Sequence, residues 1–325
     1  MLSTGDSPRP LVTVLVPCYN AAAYLPAMLA SLGAQTTASF DVVFVDDGST
    51  DDTFAIVSDF AARRSGAVVV RREANRGVCH TLNQGLRHVS TEFTIVFAAD
   101  DIMLPDLVHD ALETIARLGP NGVAAALPHY AGDADGNPRL DERGAAIAVV
   151  PPAGVELVEP PGLLPLLLVG NRFAGVGIFR TKVIVGLGYD ESLKMEDWDM
   201  WCRLAAAHRI GVAEKPLFLY RNTPSSLDKL LKQSGQRYVT GASIRAKFVG
   251  DGGPIDAAVI ARTRVELNIL ITAGLRSEAA QVLRTLEGAG LPAAFRRQRL
   301  MMLFPTRVLR TAAAVPQLTR RLLRR

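Results

Sequence analysis

Polar residues able to do chemistry gather in a few short runs of this chain, each placed where an apolar run stops. Pro17-Cys18-Tyr19-Asn20 follows Leu11–Val16, Asp46-Asp47-Gly48-Ser49 follows Asp41–Val45, and Asp100-Asp101 follows Thr94–Phe97. A half-exposed ring such as Tyr19 can stack on a nucleobase, and a carboxylate such as Asp47 can accept a base N–H. Asp100 and Asp101 would repel a bare diphosphate, so a divalent cation must bridge them. Magnesium and manganese suit carboxylate and phosphate oxygens. A metal-bound nucleoside diphosphate is the ligand this set favours. A lone Asp-Gly-Ser also makes an ordinary turn, and Asp100-Asp101 can cap a helix ahead of Pro105. Both alternatives stay open at this level.

A further run, Tyr189 to Trp201, brings Glu196, Asp197 and Asp199 together beside Trp198 and Trp201 at a helix start. The helix dipole favours an acid-rich first turn whatever its use. A carboxylate beside aromatic rings is also partly desolvated and can take a proton from an attacking hydroxyl. No Gly-x-Gly-x-x-Gly and no Gly-x-x-x-x-Gly-Lys-Ser/Thr occurs, which disfavours ordinary dinucleotide and P-loop binding. His80, His88, His109, His129 and His208 show no Glu-paired metal spacing and read as surface or local helix residues.

These residues need a scaffold that brings distant runs to one edge. Strands are expected at 11–16, 41–45, 67–71 and 94–97, with helices at 21–33, 53–65, 77–89 and 105–118 between and after them. Such alternation implies βαβ units and a mostly parallel sheet with helices on its faces. Ligands bind such sheets at the strand carboxyl ends. Residues 119–165 break the rhythm, with a hairpin turn at 132–138 and a strand near 145–150. Further strands are expected at 173–179 and 212–220, around a helix at 196–208. Beyond 224 the strands stop, and 228–249, 255–274, 276–289 and 293–323 read as helices.

The chain has 325 residues, 49% of them hydrophobic, and a net charge of +4. From Gly288 onward there are nine arginines and no Asp or Glu, so the remainder is net negative. A generally basic surface of the nucleic-acid-binding kind is excluded. Cys18, Cys79 and Cys202 stand far apart, which rules out a disulfide framework and fits a reducing compartment. Met1–Pro10 lacks an apolar signal core, and no run approaches membrane-spanning length. The expected location is the cytoplasm. Arginines alternate with Leu, Val, Met and Phe at 293–325, so the tail offers peripheral contact with the inner face of the cell membrane, or packs on protein.

Leu15-Val16-Pro17-Cys18-Tyr19-Asn20, Val45 to Asp51, Asn75-Arg76-Gly77-Val78, Ala99 to Pro105 and Glu196 to Trp201 stand in the order seen in family 2 glycosyltransferases, which the chain resembles over roughly 11–222. The resemblance implies the GT-A fold, a Rossmann-like, mostly parallel sheet flanked by helices. Residues 1–224 would form that domain, with a nucleotide-binding half at 11–118 and an acceptor half at 119–224. Residues 225–325 would be a helical C-terminal region. The implied activity is inverting transfer of a sugar from a nucleotide-sugar donor to a glycan or lipid-linked acceptor, with Mg2+ or Mn2+. Carried over, Pro17, Tyr19 and Asn20 would line the base pocket, Asp47 would bind the base, and Asp46 would support that loop. Arg76 and Asp100 would contact the donor, Asp100 would hold the metal, and Asp101 would sit in the metal's shell. Asp197 matches the catalytic base, with Glu196 beside it. Ala98 stands where the family's Asp-x-Asp element begins, and Thr223 where a histidine is frequent. Arg221 would then neutralise the leaving diphosphate. The alternative reading is a non-catalytic member that binds a nucleotide sugar or glycan. Oligomers are compatible with either.

Overall fold

The computed structural model describes residues 9–306, except 38, 142, 150–156, 172, 174, 225, 251–253, 292–294 and 304–305. The described elements begin with β1 (Val12–Cys18), α1 (Leu25–Gly33), β2 (Asp41–Asp46), α2 (Thr53–Ala62), β3 (Ala67–Arg71), α3 (Val78–Leu86), β4 (Phe93–Val96), β5 (Ile102–Met103) and α4 (Leu107–Arg117). β6 (Gly122–Ala126), β7 (His129–Gly132), β8 (Ala148–Val149), β9 (Leu157–Val158), α5 (Leu164–Val169), β10 (Gly177–Arg180) and α6 (Thr181–Leu187) follow. The rest are α7 (Glu196–Ala207), β11 (Arg209–Val212), β12 (Phe218–Arg221), α8 (Leu227–Gln233), α9 (Gln236–Ala246), α10 (Pro254–Ala273), α11 (Arg276–Gly288) and α12 (Arg296–Met301).

Among the described residues, the main sheet runs β3-β2-β1-β4-β10-β6-β11-β9. The first four strands are parallel, so their carboxyl ends share one edge; Cys18 stands beside Asp46, and Leu15 beside Val96. β10 runs antiparallel between β4 and β6. A smaller sheet runs β5-β12-β7-β8. The β1 side chains are almost all buried, as expected of a strand covered on both faces. α1 buries Leu25, Met28, Leu29 and Leu32, a stripe of helical period. α3 lies tightly on the sheet because Gly85 has no side chain; a Cβ there would stand 2.3 Å from Leu15 Cδ1 and 2.9 Å from Val45 Cγ2. That close approach carries the start of α3 to the carboxyl edge.

The chain divides into two compact units, Met1–Leu164 with Asn171–Pro224, and Pro165–Gly170 with Ser225–Arg325. The second is helical, with an apolar cluster that includes Val239, Leu267, Leu270, Ile271, Val282 and Leu286. Its buried Arg245 pairs with Glu266 at 2.6 Å and donates to the Leu168 carbonyl at 2.8 Å. A buried charge held this way keeps its partners satisfied.

Four expectations need correction. β6 fills the stretch where the rhythm was expected to break, because Gly-Val-Ala-Ala-Ala is buried throughout and packing overrides the helical preference of alanine. The single strand expected at 212–220 is two, β11 and β12, in different sheets; Pro216 between them cannot donate to a ladder. The strand expected at 173–179 begins only at Gly177. The helix expected at 228–249 is broken at Gly235, whose φ of +73° suits a residue without a Cβ. Of the basic tail, residues 307–325 lie outside the described residues.

Candidate active site

Tyr19 and Asn20 leave β1, and Asp47 leaves β2, at the shared edge. Asp47 N–H donates to the Cys18 carbonyl at 2.9 Å, which ties the two strand ends. The Tyr19 ring is half exposed, as a stacking platform requires. Asn20 takes a φ of 47°, held by its N–H on Ser49 Oγ (3.0 Å) and by Thr50 N–H on its Oδ1 (2.9 Å). Asp46 is wholly buried and accepts Ser49 N–H through Oδ1 at 3.3 Å, so it supports the turn. Gly48 has a φ of +73°, and a Cβ on it would meet the Ala74 carbonyl carbon at 2.7 Å. The turn therefore presses against the segment leading into α3.

Asp47 accepts hydrogen bonds from the segment leading into α3. It is 3% exposed; Gly77 N–H donates to its Oδ2 at 2.9 Å, Arg76 N–H donates at 3.1 Å, and Arg72 Nε lies 3.5 Å from Oδ1. Its carboxylate pegs the start of α3. Arg76 thus meets Asp47 through its backbone, while its side chain is exposed.

Asp100 and Asp101 follow β4 and are gripped from β12. Arg221 N–H donates to Asp101 Oδ1 at 2.9 Å, its Nε to the Asp100 carbonyl, and its Nη2 to the Tyr24 carbonyl at 2.9 Å. The guanidinium also lies over the Tyr24 ring, 5.2 Å from its centroid. Arg221 is buried, with Nε and Nη2 turned to the Asp100 loop and the start of α1. Asp101 is 1% exposed, with its Oδ1 turned to β12. Asp100 is more open, and burial raises its carboxyl above the usual range while the Arg221 charge and the Thr223 hydroxyl draw it down.

Glu196 and Asp197 occupy the first turn of α7. That helix is seated by Trp201, whose ring meets Phe173 and Phe179 at 5.0 and 5.1 Å and fills the space left by Gly177. Asp199 pairs with Arg203 at 2.7 Å, and Arg203 donates to the Leu187 and Gly188 carbonyls, fixing α7 to the end of α6. Asp197 Oδ1 accepts Trp198 N–H at 2.6 Å, and Oδ2 accepts Asn171 Nδ2 at 2.7 Å. Burial and then the neighbouring Asp197 charge push Glu196 up to about 8. A Cβ on Gly175 would lie 3.7 Å from Glu196 Oε1 and 3.9 Å from Asp197 Oδ2, so both acids border a stretch of bare backbone. Burial first, and then the acids, push Cys79 on α3 and Tyr189 up. One carboxylate held by hydrogen-bond donors and a neighbour carrying a proton suit proton transfer.

Some contributors carry no motif. Asn171 reaches Asp197 across 26 residues. His80 is buried rather than superficial, with Nδ1 2.7 Å from Glu191 Oε2, and Asn83 Nδ2 donates to Glu191 Oε1 at 2.9 Å. Asn83 also pairs with the Tyr189 backbone in both directions, so this latch fastens α3 to the loop before α7. His109, Asp110 and Glu113 stand close enough to share an ion, contrary to the reading of the histidine spacing, although Lys215 and Arg117 already pair with the two acids.

Residues 13–160 match the family described as Glycosyl transferase family 2. The PGL/p-HBAD biosynthesis glycosyltransferase of Mycobacterium bovis (strain BCG / Pasteur 1173P2) is 35% identical over 92 residues, 28% of this chain and 36% of that protein. The chain thus spans about a third of that relative's length. Among solved structures, S. aureus TarS 1-349 in complex with UDP-GlcNAc has a TM-score of 0.63 at 20% identity, covering 93% of this chain and 91% of that one. The mannosyltransferase PcManGT from Pyrobaculum calidifontis, in complex with GDP-Man and Mn2+, has a TM-score of 0.57 at 20% identity, covering 94% and 86%. The fold is GT-A, and residues 13–160 are similar to the family 2 glycosyltransferases.

Proposed function

We propose that the chain is an inverting glycosyltransferase. It moves a sugar from a nucleotide-diphosphate sugar to a hydroxyl of a glycan or lipid-linked acceptor, in cell-surface polysaccharide or glycoconjugate assembly. The observation that carries this reading is Asp197, a carboxylate held by two N–H donors at a helix start, beside the bare backbone of Gly175. In the reaction, Asp197 takes the acceptor hydroxyl's proton as that oxygen bonds to the anomeric carbon. The bond from that carbon to the diphosphate breaks on the opposite face, which inverts the centre. The helix start and its N–H donors favour the ionised base. Glu196, carrying its proton at neutral pH, donates to the acceptor without adding charge beside Asp197.

Tyr19, Pro17 and Asn20 form the base side of the donor site, with Asp47 keeping α3 in place. The mycobacterial relative's printed role and the nucleotide sugars named for the two structures support this donor class and setting. A divalent cation fits Asp100, an oxygen donor whose burial penalises its charge in the absence of a cation. Bound there, Mg2+ or Mn2+ would neutralise the departing diphosphate. Asp197→Asn should reduce transfer by at least about a thousandfold, while calorimetric binding of the nucleotide stays within about threefold. Unchanged turnover would overturn the base assignment.

A further inference from the structure

We propose that Asn171 is the positioning residue of the base Asp197, fixing which way its carboxylate faces and keeping it ionised. This rests on the reading of Asp197 as base. Asn171 opens the segment that returns the chain to the first unit after α5. Its side-chain amide is pinned at both ends. Phe173 N–H donates to Oδ1 at 3.2 Å, a local turn that leaves Nδ2 with a single orientation. That Nδ2 donates to Asp197 Oδ2 at 2.7 Å, a short bond of the charge-assisted kind. Phe173 is itself anchored, buried edge-on against Trp201 on α7. The turn that orients Asn171 and the helix that bears Asp197 are thus fastened by one ring contact, so the pair holds its geometry from two sides.

Trp198 N–H donates to Oδ1, so both oxygens of Asp197 are held in place by N–H donors. Titratable groups around Asp197 include Glu196, Asp199 and Arg203 on its own helix, Cys79 on α3, and Tyr189 and Asp190 in the preceding loop. Glu196, Cys79 and Tyr189 keep their protons at pH 7, and Arg203 is paired with Asp199. The Asn171 amide is a side-chain donor that favours the charged base.

Two substitutions separate orientation of the base from upkeep of the turn. Asn171→Asp keeps an Oδ1 for Phe173 N–H but sets a carboxylate against Asp197; Asn171→Ala removes both bonds. For Asn171→Asp, kcat at pH 7 should fall about 100-fold or more, with donor KM within about threefold. The acid limb of kcat/KM against pH should move upward by about one unit or more, because a like charge replaces a donor. Asn171→Ala should show a smaller upward move, and circular dichroism and thermal midpoint should confirm that both variants fold. A wild-type pH profile and kcat in folded Asn171→Asp would overturn the proposal, even where Asp197→Asn is inactive. Turnover retained in Asp197→Asn would instead strike the base reading itself.

Discussion

Glu196 carries a measurable consequence for stability that its isostere should remove. Its ordinary value of 4.5 is pushed up to about 8 by burial first and by Asp197 second. On unfolding above pH 4.5 the carboxyl sheds the proton that the fold retains, so the native state binds more protons across this window. Stability therefore falls as pH rises between 4.5 and about 8, the reverse of an ordinary salt-bridged carboxylate. At ~1.4 kcal/mol per unit the full interval would be worth about 5 kcal/mol. Glu196 is half-buried rather than sealed, and solvent screening brings the expected effect to about 2 kcal/mol. Glu196→Gln mimics the protonated form, so variant and wild type should match near pH 5 and diverge by that amount near pH 8, the variant being more stable. Both tryptophans of the chain, Trp198 and Trp201, lie on α7, so their fluorescence in urea titrations follows this helix. Parallel stability curves from pH 5 to 8 would refute the reasoning.

Asp100→Ala should weaken Mn2+-dependent binding of a nucleoside diphosphate at least tenfold in calorimetry, as loss of a metal-orienting carboxylate does by about 10–100-fold elsewhere, while binding without metal stays the same. Equal Mn2+ dependence would remove Asp100 from the cation site. Deleting residues 307–325 should abolish flotation with vesicles rich in anionic lipid, where each arginine near the surface contributes about 1 kcal/mol. Equal flotation after deletion would exclude the tail as the membrane contact.

Sequence signals were strongest where one residue type answers one local need. The β-branched run of β1 and the polar clusters at three strand ends already define the parallel half of the sheet and its carboxyl edge. β6 escapes notice because alanine favours helices and nothing local reveals that both faces are covered. Arg221 is legible as a cation near the site, but only its tertiary partners show that it braces the Asp100 loop instead of meeting solvent. Asp47 is legible as a functional carboxylate, whereas its two backbone donors lie about thirty residues further on. Asn171 leaves no trace at all, since an asparagine in a loop is ordinary until Asp197 stands 2.7 Å away.

The strand order has a further bearing on how the molecule comes to exist during synthesis. β4 and β6 lie inside the matched segment 13–160, yet their partners β10 and β11 are made later, and the Asp100 loop waits for Arg221. A nascent chain ending near residue 160 would hold every nucleotide motif but leave β4 and β6 with bare edges, open to pairing with other chains. The recognisable segment is therefore not a folding unit. Excised alone it should aggregate, because β4 and β6 would each lack the return strands that cover them.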